Sequence, residues 1–258
     1  RKELLERRKL RQADYDQGHL PDFLERDSEM VTGDWKVNPL PPELLCRRVE
    51  ITGPVNSAKM VINMLSRNDE GHRADMAMLD FEDSMKPSFA NVLSGYHNVI
   101  GAVRGDLLCE VGGKHYQLNK DDMAYVMVRA RGLHLTECNV LIQGEPVSAG
   151  LLDLAVCFFH TAKLYLEQNK TPKYYIPKCE HHLEARWWND LFIALQEALD
   201  IPVGTLKATF LIETLPAAFQ VEEILYEIRE HAAGLNVGRW DKIFSDIKTL
   251  KLHQDRIM

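Results

Sequence analysis

Ala208-Thr-Phe-Leu-Ile-Glu213, the stretch from Thr214 to His231, and Gly234-Leu-Asn-Val-Gly-Arg-Trp-Asp241 follow one another closely in a sequence of 258 residues. The first is an apolar run that stops on a carboxylate. In the second, Thr214 is placed to cap a helix and Pro216 lies in the first turn, where its missing N–H costs little. Phe219, Ile224, Leu225 and Ile228 form its apolar face, and Gly234 suits the stop. The third piece is extended again and ends on another carboxylate. Strand, helix, strand in this order predicts a parallel βαβ unit.

The same alternation extends upstream. Further strand candidates are Val49–Val55, Ala77–Asp83, Tyr125–Arg131 and Tyr174–Lys178. Helix candidates run from Ser57 through Leu65, from Leu151 to Leu166 and from near Leu183 to Leu199. Asn98 to Met123 breaks the rhythm and reads as a hairpin excursion, Leu107-Leu-Cys-Glu then His115-Tyr-Gln-Leu. The strands end in charge: Asp80-Phe-Glu-Asp83, Arg129-Ala-Arg131, Lys178, Glu213 and Arg239-Trp-Asp241. Isolated core charges are costly. In a parallel barrel, however, strand C-terminal ends share one polar mouth. The pattern therefore favours an α/β barrel over an open sheet.

Composition narrows the function classes. The apolar content of 45%, with 15 Gly and 11 Pro, excludes collagen, low-complexity and disulfide-dense scaffolds. No apolar run reaches the roughly 18 residues of a membrane span, which argues against a membrane protein. The net charge of −7 argues against a nucleic-acid partner. The one basic cluster, Arg7-Arg8-Lys9 with Arg11, reads as the solvated face of a helix over Arg1–Gln12 with Leu4, Leu5 and Leu10 inward. Cys46, Cys109, Cys138, Cys157 and Cys179 contain no CxxC spacing and fit a reducing compartment.

The sequence has no Gly-rich phosphate fingerprint, no GxSxG and no HExxH. What remains is carboxylates and arginines at strand ends. Two carboxylates with several waters suit Mg²⁺, and an added arginine suits a small oxyacid whose charge develops in a transition state. Asp80, Glu82 and Asp83 read equally as a local turn, and Glu213 as a helix N-terminal charge. Arg129 and Arg131, two apart, share a strand face. His181-His182 reads as solvated residues pointing apart, and Trp187-Trp188 as packing.

Arg229-Glu-His-Ala-Ala-Gly-Leu-Asn-Val-Gly-Arg-Trp-Asp-Lys-Ile-Phe244 resembles the malate synthase signature. Arg47–Val55, Asp80-Phe-Glu-Asp-Ser84, Arg129-Ala-Arg-Gly-Leu-His-Leu135, Ile176-Pro-Lys178, His182–Arg186 and Leu211–Phe219 are similar to that family's other motifs and follow in its order. The resemblance points to the compact type and runs from about Ala13 to the end.

The resemblance implies a TIM barrel, here about six strands, over 46–258, preceded by part of an N-terminal helical clasp over 1–45. It implies an acyltransferase of the glyoxylate cycle that condenses acetyl-CoA, glyoxylate and water to malate and CoA. The cofactor is Mg²⁺, and the substrates are the only partners implied. Glu213 and Asp241 would be the metal ligands, with Asp80 and Glu82 holding metal-bound water. Arg129 would bind glyoxylate and stabilise the enolate, and the backbone of Gly238, Arg239 and Trp240 would cradle the glyoxylate carboxylate. Lys178 and Arg48 are candidates for CoA contacts. The signature departs at Lys242, usually Tyr, and at Val237, usually Cys. The family's general base, an aspartate of the C-terminal domain, has no match in these residues, so the expectation is a partial sequence that is inactive alone. A related Mg²⁺-dependent lyase of the citrate lyase β-like group, or a chain that only binds metal and oxyacid, are the alternatives. The implied compartment is the bacterial cytoplasm, or the glyoxysome or peroxisome in a eukaryote.

Overall fold

The computed structural model describes residues 1–25 and 27–256. In chain order these form α1 (Lys2–Asp16), α2 (Glu29–Thr32), β1 (Glu50–Pro54), α3 (Ala58–Leu65), β2 (Met76–Asp80) and α4 (Phe89–Arg104). There follow β3 (Leu108–Val111), β4 (Lys114–Gln117), β5 (Tyr125–Arg129), β6 (Thr136–Ile142), β7 (Glu145–Ser148) and α5 (Ala149–Glu167). The remainder is β8 (Lys173–Ile176), α6 (His182–Ala198), β9 (Lys207–Ile212), α7 (Leu215–Ala218), α8 (Val221–Glu227), β10 (Ala232–Val237) and α9 (Arg239–Leu250). Two compact units share these elements: Arg1–Asn38, Ile176–Gly204 and Ala208–Met258 in one, Pro39–Tyr175 and Thr205–Lys207 in the other.

The unit built on Pro39–Tyr175 carries β1, β2, β5 and most of β8 as parallel neighbours. Asp80 closes β2 opposite Arg129, which closes β5. β2 is buried along its whole length, as expected of a parallel strand covered on both faces. The division falls inside β8 and β9, so each unit holds part of both strands. Within the second unit, the Lys207 N–H at the start of β9 bonds Pro172 O just ahead of β8, at 2.9 Å. In the first unit β9 pairs in parallel with β10. The sheet order is thus β1-β2-β5-β8-β9-β10, six parallel strands of an incomplete barrel.

The crossover helices have plain local causes. Ser57 Oγ accepts from Met60 N and caps α3. Ser88 does the same for α4, which ends at Gly105 in the left-handed region. By length and composition α5 could cross a membrane, and no apolar run of that length was expected; half of it is buried in the protein, and its Asp153 is engaged by Arg131 and Tyr96.

Several expectations are corrected. The helix expected over Thr214–His231 is two helices, because Gln220 leaves the helical region (φ −136°, ψ 33°) and its side chain accepts the His182 N–H at 3.1 Å. Thr214 does cap the first of them, but Gly234 lies in β10, at a register shift. The excursion begins later than expected, since α4 runs to Arg104; β3 and β4 then pair as a hairpin. A second hairpin, β6–β7, was not foreseen. In α1, Leu10 is 61% exposed rather than inward, and Arg8 is the residue that turns in.

The two histidines sit at a helix start, not on a strand, and their rings lie 4.4 Å apart at 30°. His181 Nδ1 accepts the Leu183 N–H as the cap of α6. Burial, then the charges of His182, Arg11 and Arg7, lower its pKa to about 3. A folded-state pKa below the unfolded value means protons favour the unfolded chain. Stability should therefore fall as the pH drops from about 6.5 towards 3, as the imidazole loses its acceptor. In His181→Asn, which caps without titrating, the thermal midpoint should fall less steeply over this range. Equal slopes in the two proteins would count against the cap's role.

Candidate functional site

The charged residues form two clusters, one in each unit. In the unit with β2 and β5, Arg129 spans Asp80 as a fork, Nε to Oδ1 at 2.7 Å and Nη2 to Oδ2 at 2.6 Å. Its Nη1 lies 3.5 Å from Glu82 Oε2. Asp80 is fully buried and also accepts the N–H groups of Glu82 (2.8 Å) and Ser84 (2.9 Å) and the Ser84 hydroxyl. Burial pushes the Asp80 carboxyl up, but the Arg129 bonds and charge outweigh it and hold the pKa below the usual value. Arg129 stays cationic: the Asp80 pairing more than offsets burial and raises its pKa. What Asp80 holds here is thus the guanidinium at the end of β5.

Arg131, two residues on, has a different fate. It is 3% exposed and bonds Asp153 of α5 through Nε and Nη2, each at 2.9 Å, and Glu137 of β6 through Nη1 at 2.9 Å. Tyr96 of α4 completes the network with a 2.7 Å bond to Asp153. This arginine ties the α5 and β6 segments to the loop after β5. Asp153 and Glu137, the partners that separate the two arginines, were not foreseen, since the strand-end pattern carries no mark for an acid inside a helix or within the unforeseen β6.

The other cluster follows β8, β9 and β10. Glu213 comes directly after β9, and Asp241 lies in the first turn of α9, where an acid is favoured by the helix dipole. Both meet Lys178, two residues past β8. The Lys178 N–H donates to Glu213 Oε1 at 2.7 Å, and its Nζ lies 3.2 Å from Asp241 Oδ1. Glu213 is 2% exposed. Gly238 is packed against it: a Cβ on Gly238 would stand 2.5 Å from Glu213 Oε2 and 2.7 Å from its Cβ. The φ of −85° is ordinary, so proximity to the carboxylate, not backbone strain, demands the glycine.

This donor set fits a hard divalent cation that uses two protein carboxylates and keeps several waters. A lysine ammonium already stands as the cation against Asp241, and Gly238 lets the backbone approach Glu213 where a Cβ would clash. Among the described residues no group of three or more His, Cys, Asp and Glu forms a metal cluster.

The remaining predicted residues fall as follows. Arg239 and Trp240 open α9; their side chains stack on each other at 4.5 Å and the indole is 72% exposed. Their backbone N–H groups belong to the first turn, where intrahelical partners are lacking. Lys242 pairs with Asp246 on the same helix at 2.5 Å. Arg48 is exposed, with its N–H on Asp75 at 2.7 Å. Lys178, a candidate for CoA, engages the carboxylates.

The family model described as the malate synthase TIM barrel domain matches residues 125–258, over half of the chain, and that of the malate synthase N-terminal domain matches 1–29. The chain belongs to the malate synthase family. It is 52% identical over 249 residues to a malate synthase of Myxococcus xanthus, covering 96% of this chain and 45% of that protein. It is 48% identical to a glyoxysomal malate synthase of Candida tropicalis, covering 100% of this chain and 46% of that one. The chain therefore spans about half the length of the curated relatives it matches. Among solved structures, a Haloferax volcanii malate synthase magnesium/glyoxylate complex shares the fold, with a TM-score of 0.57 and 13% identity over 80% of this chain and 55% of that one.

Because the Asp80–Arg129 pair is buried, Asp80→Asn removes the forked counter-charge from the guanidinium and leaves Glu82 at 3.5 Å to offset it. Denaturant unfolding should show a loss of about 3 kcal/mol, the range for breaking a buried pair. A loss under about 1 kcal/mol would mean the pair is effectively solvated.

Proposed function

We propose that these residues form the metal and glyoxylate part of a malate synthase, which condenses acetyl-CoA with glyoxylate and water to give malate and CoA. The observation that carries the reading is the Glu213–Lys178–Asp241 arrangement: two carboxylates brought to one cation, in a chain of this family. The magnesium and glyoxylate named together for the Haloferax volcanii complex support the choice of ion and oxyacid.

In this proposal Glu213 and Asp241 hold Mg²⁺. The ion, when bound, polarises the aldehyde of glyoxylate and offsets charge on its oxygens. The chain's own groups act beside it. The fork to Asp80 fixes the Arg129 guanidinium in advance, so its positive charge is already set when a general base outside these residues takes a proton from the acetyl group and negative charge gathers on the enolate oxygen. Such preset charge is worth more than a mobile one, because little reorganisation is left for the reaction step. Asp80 and Glu82, the proposed holders of metal-bound water, also pair with Arg129. The first-turn N–H groups of Arg239 and Trp240, with Gly238 at the N-cap, donate to the glyoxylate carboxylate, an anion at a helix N-terminus.

Asp241→Asn should abolish Mg²⁺-dependent glyoxylate binding in calorimetry; unchanged affinity would remove Asp241 from the ligand set. In the full-length enzyme, Arg129→Lys should lower malate-forming turnover by at least about a hundredfold, because one ammonium cannot keep the fork to Asp80 while meeting the enolate. Turnover within a few-fold of the parent would contradict the enolate role.

A further inference from the structure

We propose that Arg8, on the N-terminal helix α1, is a positioning residue for the Glu213–Asp241 carboxylate pair and acts through the backbone of Lys178. The proposal rests on the metal reading above.

Lys178 has φ 55°, in the left-handed region that residues with a Cβ seldom enter. Such a conformation persists where its surroundings over-determine it. Its N–H is taken by Glu213 Oε1 at 2.7 Å, and its carbonyl accepts from Arg8 Nη2 at 2.7 Å. These groups belong to the two peptide planes that flank the Lys178 Cα. Fixing both therefore fixes φ and ψ together, and with them the aim of the N–H at Glu213 and the start of the side chain that reaches Asp241.

Arg8 is held well enough to impose this. Its Nε and Nη2 reach the two oxygens of Glu184 at 2.7 Å each, and its Nη1 lies 3.5 Å from Glu180. Glu184 is 1% exposed, sits in the first turn of α6, and also accepts the Glu180 N–H at 2.9 Å. One guanidinium thus pins both ends of the segment from 178 to 184, by a carbonyl at its start and a carboxylate at its end. The basic cluster expected on a solvated helix face is divided: Lys9 is exposed, and Arg8 is turned inward onto the loop that carries Lys178. Without Arg8 the Lys178 carbonyl loses the Nη2 bond. The backbone can then relax out of the left-handed region, and Glu213 loses the N–H that orients it.

The test is Mg²⁺ titration calorimetry of the protein and its Arg8→Met, Arg8→Lys, Arg186→Met and Asp241→Asn variants, with thermal midpoints measured on the same samples. Arg186, on the same helix as Glu184, forks onto Glu227 and controls for loss of an ion pair. Arg8→Met should raise the Mg²⁺ Kd about tenfold, the lower end of what residues orienting metal ligands contribute. Arg8→Lys, which keeps a charge near Glu184 but not the fork, should fall between it and the parent; if Arg8→Met does not fold, this intermediate rise carries the test. Arg186→Met should stay within twofold of the parent. If the Arg8 variants lower the thermal midpoint but keep the parent Kd while Asp241→Asn abolishes binding, Arg8 is merely structural and the proposal is overturned with the metal reading intact. If Asp241→Asn also keeps the parent Kd, the metal reading fails, and this proposal with it.

Discussion

A carboxylate with 2% of its surface exposed has to be met by donors inside the protein, and for Glu213 one such donor is the N–H of Lys178 at 2.7 Å. Much of the cluster's local structure follows from that bond. To present its N–H, Lys178 takes up a left-handed backbone. To let the carboxylate lie where it does, residue 238 has no side chain. The same lysine extends its ammonium to Asp241, so a single residue at the end of β8 addresses acids that follow β9 and β10. Sequence, backbone and charge agree at this point, each needed by the others.

The second cluster makes the opposite use of the same chemistry. Arg129 and Arg131 are two residues apart and both are paired to acids, yet they do different work. Arg131 closes a network with Asp153, Glu137 and Tyr96 inside the protein. Arg129 is set on Asp80 and Glu82, acids at and just past the end of β2. Alternation along a strand does not separate the two, because Arg131 lies past the end of β5. The partner acids do.

Much of the fold was legible because its signals are local. β-rich runs, five of them ending in charge, mark all six parallel strands, and the place of Thr214 before Pro216 marks it as a cap. The misreadings arose where a long-range contact overrode a local preference. The helix pattern from Thr214 to His231 continues through Gln220, but the residue spends its side chain on His182, 38 positions away, and the helix breaks there. Leu10 looked inward by periodicity, whereas Arg8 was drawn in by Glu184, 176 positions away. The β6–β7 hairpin was missed because its strands are largely exposed and carry little apolar alternation. In the same way, the type and place of Glu213 and Asp241 could be read from the signature, but their common contact, Lys178, could not, since it depends on three strand ends.

The most direct measurement is a crystal structure of the protein grown with Mg²⁺ and glyoxylate. The account predicts an octahedral ion with oxygens of both Glu213 and Asp241 at about 2.0–2.1 Å, and the Lys178 ammonium withdrawn from Asp241. A structure in which Lys178 keeps its place at Asp241 and the ion binds away from Glu213 would contradict it.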